Sequence, residues 1–278
     1  MSGHILVTAA TGKTGRRLMA NLRALGSPAV GASRRAGAGL VRFDWTDLGT
    51  WDDALNGVDS AYLVAPSGVG DPADIMIEFT ERAIARGVVR FVLLSASLLD
   101  SGGPAMGQVH HWLAKSGVEW AVLRPSWFME NLSEGPHCLT IRDEHAIYTA
   151  AGNGRVPFIS TDDVAGAAAV ALTTEQAANC DFILTGPEAL TYQQVAERIS
   201  TATGQTITHF PLTFEELVAR HVANGLTDEH AQTLAFMDLA IAGGAEDRVT
   251  QDLGQLTPGF PVSFEAFVAA HVRLWSKT

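Results

Sequence analysis

Short apolar runs alternate with stretches of helical spacing through the first 125 residues of the chain. The apolar runs lie at 4–8, 28–33, 40–43, 60–65, 88–94 and 120–123, and the helical stretches at 14–25, 50–55, 73–86 and 108–116. Continuous apolar strands separated by helices are typical of a parallel sheet that helices cover on both faces. The alternation therefore predicts an α/β fold with a doubly wound parallel sheet of the Rossmann type.

The alternation weakens after residue 124. A short strand is predicted at 156–159, an alanine-rich helix at 162–172 and a last strand at 182–184. From residue 191 the pattern is mostly helical, and Thr191 and Thr213 each precede a capping-box partner by three residues. We expect a single compact unit. Its Rossmann core would comprise 1–135 and 155–186, and a small, mostly helical C-terminal annex would comprise 136–154 and 187–278.

Composition excludes several classes of function. The formal net charge is −11, from 30 acidic and 19 basic residues, and such a surface repels nucleic-acid phosphates. No segment approaches the roughly 18 consecutive apolar residues of a membrane span, and the N-terminus lacks the charged region of a signal peptide. Two cysteines, Cys138 and Cys180, and nine histidines without ligand spacing predict no metal site. We expect a cytoplasmic protein that acts on small molecules.

A glycine-containing turn follows the first predicted strand and opens the first helix: residues 8–15 read TAATGKTG. Backbone amides at such a turn, with the helix dipole, can bind a pyrophosphate. Gly12 would allow close approach of the phosphate and Gly15 close packing of the helix, so Thr11, Gly12, Lys13 and Thr14 are candidate cofactor contacts. A P-loop is excluded because Val7 stands where that loop needs glycine. A turn without a ligand remains an alternative.

One position in the turn departs from the usual glycine pattern. Ala9 occupies the place of the first glycine. Alanine can serve there if the turn keeps its φ negative, so Ala9 weakens the motif without removing it.

The end of the second predicted strand bears on which nicotinamide cofactor is bound. An acidic residue there typically binds the ribose hydroxyls of NAD, whereas arginine suits the 2′-phosphate of NADP. Residues 32–35 read ASRR and contain no carboxylate. Ser33 and Arg34, with Arg35 beside them, therefore favour NADP(H) over NAD(H), although exposed arginines without a ligand would look the same in the sequence.

Two further strand ends are expected at the same crevice, because the carboxyl ends of parallel strands converge on one edge of the sheet. Asp44 and Trp45 follow the third strand, where they would bond and flank the adenine. Ala65, Pro66 and Ser67 follow the fourth strand, close to the pyrophosphate and the nicotinamide ribose.

Several segments together carry a resemblance to a known family. They are 11–15 (TGKTG), 32–34 (ASR), 91–97 (FVLLSAS), 122–131 (VLRPSWFMEN), 156–165 (VPFISTDDVA) and 184–188 (LTGPE). With these segments the chain resembles the NmrA-like atypical short-chain dehydrogenases, in particular the festuclavine-dehydrogenase-like subfamily of ergot alkaloid pathways. The resemblance implies an NAD(P)-binding oxidoreductase of secondary metabolism. It does not fix the substrate, because the group includes reductases, quinone reductases and cofactor-sensing regulators.

The usual acid pair of short-chain dehydrogenases, a tyrosine with a lysine four residues later, is missing from the sequence. The residues four positions after Tyr62, Tyr148 and Tyr192 are proline, glycine and alanine. His111 and Lys115 have this spacing, but Lys115 is expected at a helix end, where a solvated cation is favourable. Relatives often carry a lysine at the start of the helix that is predicted to begin near Gln108, but no lysine lies between Lys13 and Lys115. Gln108 is therefore the candidate contact to the substrate or the ribose at this place.

The missing acid favours one class of reduction. A ketone needs a proton for its developing alkoxide, whereas an iminium ion needs only hydride. The implied mechanism resembles that of the festuclavine-type enzymes, in which positioning of the cation over NADPH does most of the catalysis. Trp127, Phe128 and Tyr148 are candidate pocket walls that would attract a cation, although Trp127 and Phe128 are equally consistent with core positions.

Two serines at the end of the fifth predicted strand are the candidate catalytic residues. Ser95 and Ser97 could hydrogen-bond a substrate heteroatom, and Ser95 also the cofactor; capping of a loop is the alternative. His110 or His111 could relay a proton if one of them faced the crevice, whereas a solvated or core-edge histidine is the favoured interpretation.

The sequence favours an NADPH-dependent reductase acting on a C=N or C=O group of a small, partly apolar metabolite. Two alternatives remain: an isomerase or cyclase that leaves the cofactor unchanged, and a non-catalytic NADP(H)-sensing regulator. Phe264, Phe267 and Trp275 lie in an amphipathic last helix, which we expect to close a substrate pocket. The oligomeric state is not determined by the sequence.

Overall fold

The structure of the chain, a computed structural model, describes residues 3–37, 39–66 and 68–276. Ser67, predicted near the cofactor, lies outside these residues. The chain forms two compact units: the first is Met1–Pro125, Thr161–Leu184 and Gln251–Gly259, and the second is Ser126–Ser160, Thr185–Thr250 and Phe260–Thr278. The expected boundaries differ from these at four segments, since 126–135, 155–160 and 185–186 belong to the second unit and 251–259 to the first.

The elements alternate as expected in the N-terminal half. The strands are β1 (His4–Val7), β2 (Ala29–Ser33), β3 (Leu40–Arg42), β4 (Val58–Val64), β5 (Arg90–Leu94), β6 (Glu119–Pro125), β7 (Ala146–Thr149), β8 (Arg155–Val156), β9 (Cys180–Leu184), β10 (Leu190–Thr191) and β11 (Thr208–Pro211). The helices are α1 (Lys13–Ala24), α2 (Trp51–Ala54), α3 (Ala73–Ala85), α4 (Met106–Leu113), α5 (Pro136–Glu144), α6 (Thr161–Thr173), α7 (Tyr192–Thr203), α8 (Phe214–Ala223), α9 (Asp228–Ala242), α10 (Leu253–Leu256) and α11 (Phe264–Trp275).

The first unit is built on a seven-stranded sheet with the order β3-β2-β1-β4-β5-β6-β9. Every pair of neighbouring strands in it is parallel. The predicted doubly wound parallel sheet is therefore confirmed. The strand order reverses between β1 and β4, and the carboxyl ends of the strands at this switch point form the usual ligand crevice of such sheets.

Helices cover both faces of this sheet. Tyr62 and Leu63 are neighbours in β4, so their side chains point to opposite faces. Leu63 belongs to a buried cluster that includes Phe79 of α3 and Val109 of α4. Tyr62 instead donates a hydrogen bond to Thr14 of α1, and α1 packs against α6. Both faces are thus buried, which explains the continuous apolar strands in the sequence.

The second unit contains helices and two small strand pairs. β8 pairs with β10 in antiparallel fashion, and β7 pairs with β11 in parallel fashion. The predicted strand at 156–159 is in fact limited to Arg155–Val156 and stands apart from the central sheet. The pair β7–β11 was not predicted from the sequence, because each strand has only four residues and no turn links the two segments.

Both predicted capping boxes are present in the second unit. Thr191 accepts a hydrogen bond from the Gln194 backbone amide, and the Gln194 side chain accepts one from the Thr191 amide. Thr213 and Glu216 make the same reciprocal pair at the start of α8.

The aromatic residues of α11 lie in the interior of the second unit. Phe264, Phe267 and Trp275 belong to its buried core cluster. The Trp275 Nε1–H group donates a hydrogen bond of 2.8 Å to the carbonyl oxygen of Leu132. These three rings therefore stabilise the unit itself, and the expected role in closing a substrate pocket finds no support in their positions.

Across the part of the chain that the structure describes, none of the helices has the length and apolarity needed to cross a membrane.

A buried carboxyl group joins α9 to the end of β7. Asp238 accepts a hydrogen bond of 2.8 Å from the backbone amide of Ala150, and its side chain is buried. Burial raises the pKa of Asp238 from 3.8 to about 6, against the opposite effect of the Ala150 hydrogen bond. The charged form is therefore less stable in the folded state than in the unfolded state.

This shift predicts a pH-dependent loss of stability that Asp238→Asn removes. Below about pH 4 the raised pKa of Asp238 does not change the free energy of unfolding. As the pH rises to 6 and beyond, it lowers the free energy of unfolding by up to about 3 kcal/mol. Denaturant unfolding of the wild type between pH 4 and 8 should show this extra decline relative to Asp238→Asn. Glu229→Gln, on the exposed part of the same helix, is the control and should retain the decline. Parallel profiles for the wild type and Asp238→Asn would contradict the assignment.

Candidate functional site

A cleft of about 970 Å³ lies in the first unit at the carboxyl ends of β1, β2, β3 and β4. Its walls come from the segments that directly follow these four strands. Its volume is at the upper end of the range of about 300–1,000 Å³ that is typical of ligand sites. The strand order places this cleft at the topological switch point, as the sequence predicts.

The loop after β1 packs tightly against α1. Thr11 and Gly12 line the cleft, and the Gly12 amide donates to the Ala9 carbonyl oxygen at 2.8 Å. A Cβ at Gly15 would lie 2.9 Å from the Ala10 Cα and closer still to the Ala9 carbonyl oxygen. Glycine is therefore required at position 15 because the helix touches the loop backbone there.

The condition of a negative φ at Ala9 is not met. Ala9 has φ of 49°, in the left-handed region that glycine adopts without strain. The loop thus keeps the usual conformation of the first glycine although the residue is alanine. An alanine in this region costs of the order of 1–2 kcal/mol of conformational free energy. The hydrogen bond from the Gly12 amide to the Ala9 carbonyl oxygen helps to hold the loop in this conformation.

The N-terminus of α1 is available to an anion. Gly12 is its N-cap residue and supplies no side-chain cap, and the first turn contains no acidic residue. The amides of this turn and the helix dipole therefore favour a phosphate. Lys13 and Thr14 do not line the cleft with the loop residues; the Thr14 hydroxyl is buried and accepts a hydrogen bond of 3.1 Å from Tyr62. The Thr14 side chain is thus better explained as part of the core than as a cofactor contact.

The end of β2 gives the cleft its positive charge. Ser33, Arg34 and Arg35 all line it, and both arginine side chains are exposed. The Arg35 backbone amide donates to Ser33 Oγ at 3.4 Å. Arg35 thus lies on the same wall as Ser33 and Arg34, the two contacts predicted from the sequence.

The end of β3 supplies a carboxylate and an aromatic ring. Asp44 lines the cleft, and its Oδ1 accepts hydrogen bonds of 2.9 Å from both the amide and the hydroxyl of Thr46. These bonds, with smaller effects of Arg34 and Arg42, lower the pKa of Asp44, so it is ionised at neutral pH. Trp45 also lines the cleft, although most of its ring is buried edge-on against Phe43 and Phe79.

The end of β4 completes the cleft with Val64, Ala65 and Pro66. Val64 was not predicted as a cleft residue. It is the last residue of β4, so the convergence of strand ends that predicted Ala65 also applies to it. Gly68 and Val69 also line the cleft, but nothing in their sequence pattern indicates it.

The candidate catalytic serines lie beside this cleft, on the neighbouring strand. Val64 pairs with Leu94 of β5, which places Ser95 next to Ala65. Ser95 and Ser97 are both buried, and the Ser95 hydroxyl has no hydrogen-bond partner among the described protein groups. Neither serine is part of the cleft wall itself.

The candidate substrate contacts are not among the residues that line the described cleft. Gln108 is exposed on α4, and Trp127 and Phe128 are half-buried, with Trp127 packed on the core of the second unit. Tyr148 stacks on Phe210 at 5.4 Å between ring centroids, and the Arg220 guanidinium lies 3.6 Å from the Tyr148 ring centre. The aromatic surface of Tyr148 is thus already in contact with its own unit.

Neither Tyr62 nor Lys115 lines the cleft, so neither side chain is placed to transfer a proton there. Tyr62 is buried, and burial raises its pKa. Lys115 is exposed just beyond the C-cap of α4, as expected for a solvated cation. The described residues contain no group of three or more histidine, cysteine, aspartate or glutamate side chains that could hold a metal ion.

Comparison with known proteins assigns the family. The model of the family described as NAD(P)H-binding matches residues 9–175. Agroclavine dehydrogenase of Claviceps purpurea is 40% identical over 258 residues, covering 88% of this chain and 89% of that protein. The chain belongs to this NAD(P)H-binding family. Festuclavine dehydrogenase of Aspergillus fumigatus is 39% identical over 259 residues, with coverage of 88% and 89%.

The resemblance inferred from the sequence segments is therefore confirmed. The protein is an NAD(P)H-dependent oxidoreductase related to the ergot alkaloid dehydrogenases. The fold is shared with the NADPH-dependent quinone oxidoreductase of Escherichia coli in complex with NADPH, with a TM-score of 0.82, 24% identity and coverage of 96% and 99%. Triphenylmethane reductase of Citrobacter sp. with NADP(H) gives a TM-score of 0.82 at 20% identity and the same coverage.

The tight contact at Gly15 gives a direct test of the loop geometry. Gly15→Ala should lower the free energy of unfolding by about 1–3 kcal/mol, because the added methyl group meets backbone that cannot move freely. Gly254→Ala in α10 is the matched control, since no atom lies within 4 Å of the added Cβ, and it should be neutral or slightly stabilising. Urea unfolding measures both changes. Equal free energies of unfolding for the two variants would show that α1 does not pack tightly against the loop.

Proposed function

We propose that this protein is an NADPH-dependent reductase that transfers hydride to a C=N or C=O group of a small, partly apolar metabolite, with an iminium ion as its best substrate. One observation carries the proposal: a cleft at the switch point joins the open N-terminus of α1 to Ser33, Arg34 and Arg35. A pyrophosphate and a 2′-phosphate fit these two regions, and an acidic ribose ligand is lacking at the end of β2.

The cleft residues suit the successive parts of the dinucleotide. The backbone amides of the first turn of α1 would hold the pyrophosphate, and Arg34 the 2′-phosphate. Asp44 and the exposed edge of Trp45 would contact the adenine. The backbone at Ala65 and Pro66 would lie along the nicotinamide ribose, next to Ser95 on β5. The glycine-dependent close packing at position 15 supports this assignment, because it brings the helix N-terminus onto the loop.

When bound, NADPH supplies the hydride, and the protein needs to orient the acceptor and exclude water. The absence of a tyrosine–lysine pair at the usual spacing supports an acceptor that already carries positive charge. The ionised Asp44 and the formal net charge of −11 give a surface that attracts cations. The names of the related agroclavine and festuclavine dehydrogenases support a small organic substrate.

The cofactor preference is tested by Arg34→Ala. Loss of a charge-assisted hydrogen bond to phosphate costs about 1.5–3 kcal/mol, so the Kd of NADPH should rise about tenfold or more while that of NADH stays unchanged. Nicotinamide fluorescence titration measures both constants. Arg23→Ala, exposed at the far end of α1, is the control and should bind NADPH like the wild type. An equal effect of Arg34→Ala on both nucleotides would contradict a role at the 2′-phosphate.

The reaction class is tested with a panel of iminium salts, quinones and ketones, while NADPH absorbance is followed. We expect oxidation of NADPH with at least one iminium salt and a higher kcat/KM for iminium than for carbonyl acceptors. Tight NADPH binding without oxidation by any acceptor would instead favour the isomerase, cyclase or sensor alternatives.

A further inference from the structure

The loop after β3 holds the carboxylate of Asp44 in one orientation on the cleft wall. Its Oδ1 accepts hydrogen bonds of 2.9 Å from both the backbone amide and the hydroxyl of Thr46. Asp44 and Thr46 both line the cleft. Among the residues that the structure describes, no protein group donates to Asp44 Oδ2. One carboxylate oxygen is thus fixed by the loop, and the other is left for a ligand.

The backbone of Asp44 is anchored as firmly as its side chain. The Asp44 amide donates to Thr50 Oγ1 at 3.0 Å, and the Trp51 Nε1–H group donates to the Asp44 carbonyl oxygen at 3.1 Å. The Thr50 and Trp51 side chains are both buried. Because the main chain and Oδ1 are held at the same time, the carboxylate cannot turn without breaking its bonds to Thr46. The loop therefore determines the position of Oδ2.

The other aspartate of this loop is already used by the protein itself. Asp47 Oδ1 accepts the Gly49 amide at 3.2 Å, and Asp47 Oδ2 pairs with Arg42 Nη2 at 2.9 Å. Asp47 is also not among the residues that line the cleft. The two carboxylates thus differ: both oxygens of Asp47 stabilise the loop, whereas Asp44 keeps one oxygen in reserve.

The chemistry of Asp44 defines what that oxygen can bind. The two bonds from Thr46 are the main cause that lowers the pKa of Asp44, so the group is ionised at neutral pH. An ionised carboxylate only accepts hydrogen bonds, and its complement is a donor. Adenine carries an amino group at C6 and donates there, whereas hypoxanthine and guanine carry a carbonyl oxygen that a carboxylate repels.

We propose that the Asp44–Thr46 turn selects the base of the dinucleotide: Thr46 orients the Asp44 carboxylate so that Oδ2 accepts a hydrogen bond from the 6-amino group of adenine. This inference rests on the proposed NADPH site and adds to it the residue that decides which base is accepted. Thr46 is a positioning residue, since it acts through Asp44. Its side chain is exposed, so removal of the hydroxyl leaves no buried polar group without a partner.

The test compares NADPH with reduced nicotinamide hypoxanthine dinucleotide phosphate (deamino-NADPH), in which a carbonyl oxygen replaces the 6-amino group. Nicotinamide fluorescence titration gives both Kd values. The wild type should bind deamino-NADPH about tenfold more weakly than NADPH. Thr46→Val keeps the shape of the side chain without the hydroxyl, and it should reduce this ratio at least about threefold. Thr46→Ser keeps the hydroxyl and should restore the ratio of the wild type.

Asp44→Asn tests the orientation of the side chain directly. The asparagine carbonyl oxygen would take the two bonds from Thr46, which places the amide nitrogen where Oδ2 was. That nitrogen donates, so Asp44→Asn should reverse the preference and bind deamino-NADPH more tightly than NADPH. Adding Thr46→Val should return the ratio toward one, because the amide is then held less firmly. Asp53→Asn, exposed on α2, is the matched control and should keep the ratio of the wild type.

The two proposals fail in different ways. Equal Kd values for NADPH and deamino-NADPH in the wild type, an unchanged preference in Asp44→Asn, or the same loss of preference in Thr46→Ser as in Thr46→Val would overturn the base selection and leave the NADPH site standing. A wild type that does not bind NADPH would overturn the proposed function and the base selection with it. If Asp44→Asn fails to fold, the comparison of Thr46→Val with Thr46→Ser still decides.

Discussion

The contact of α1 with the backbone of the preceding loop is the constraint on which the cofactor site depends. At Gly15 there is no room for a Cβ, so the first turn of the helix lies directly against Ala9 and Ala10. That approach places Gly12, at the N-terminus of α1, on the cleft wall. Ala9 in the same loop adopts the left-handed region, which costs stability that other interactions must offset.

The sheet could be predicted from the sequence because its evidence is local and repeated. Every strand of the parallel sheet is a short run rich in apolar residues, and β1, β3, β4 and β5 are each followed by a turn and a helix. The cleft residues Gly12, Arg34 and Asp44 were found by the same logic, since they directly follow strands in a fold whose strand ends converge. The capping boxes were found because they depend on residues only three positions apart.

Other features depend on tertiary contacts that leave no local trace. The positive φ of Ala9 occurs in a loop that packs against Gly15, and an alanine in the sequence does not indicate it. The pairing of β7 with β11 joins segments about sixty residues apart in the sequence. Trp275 has the amphipathic spacing of either a pocket wall or a core residue, and only its hydrogen bond to Leu132 decides for the core.

The neighbouring strand ends of the sheet differ in exposure and polarity. The ends of β1 to β4 form an open cleft with a positive wall, whereas the ends of β5 and β6 are buried and polar. Arg124 ties the second region together, since it holds the backbone at Ser97 and two carboxylates at once.

The central claim is that NADPH binds along the ends of β1 to β4 with its 2′-phosphate at Arg34. A crystal structure of the protein with NADP⁺ tests it most directly. The account predicts the 2′-phosphate within hydrogen-bonding distance of the Arg34 guanidinium, and the pyrophosphate against the backbone amides at the N-terminus of α1. A dinucleotide bound with its 2′-phosphate away from Arg34, or outside this cleft, would contradict the account.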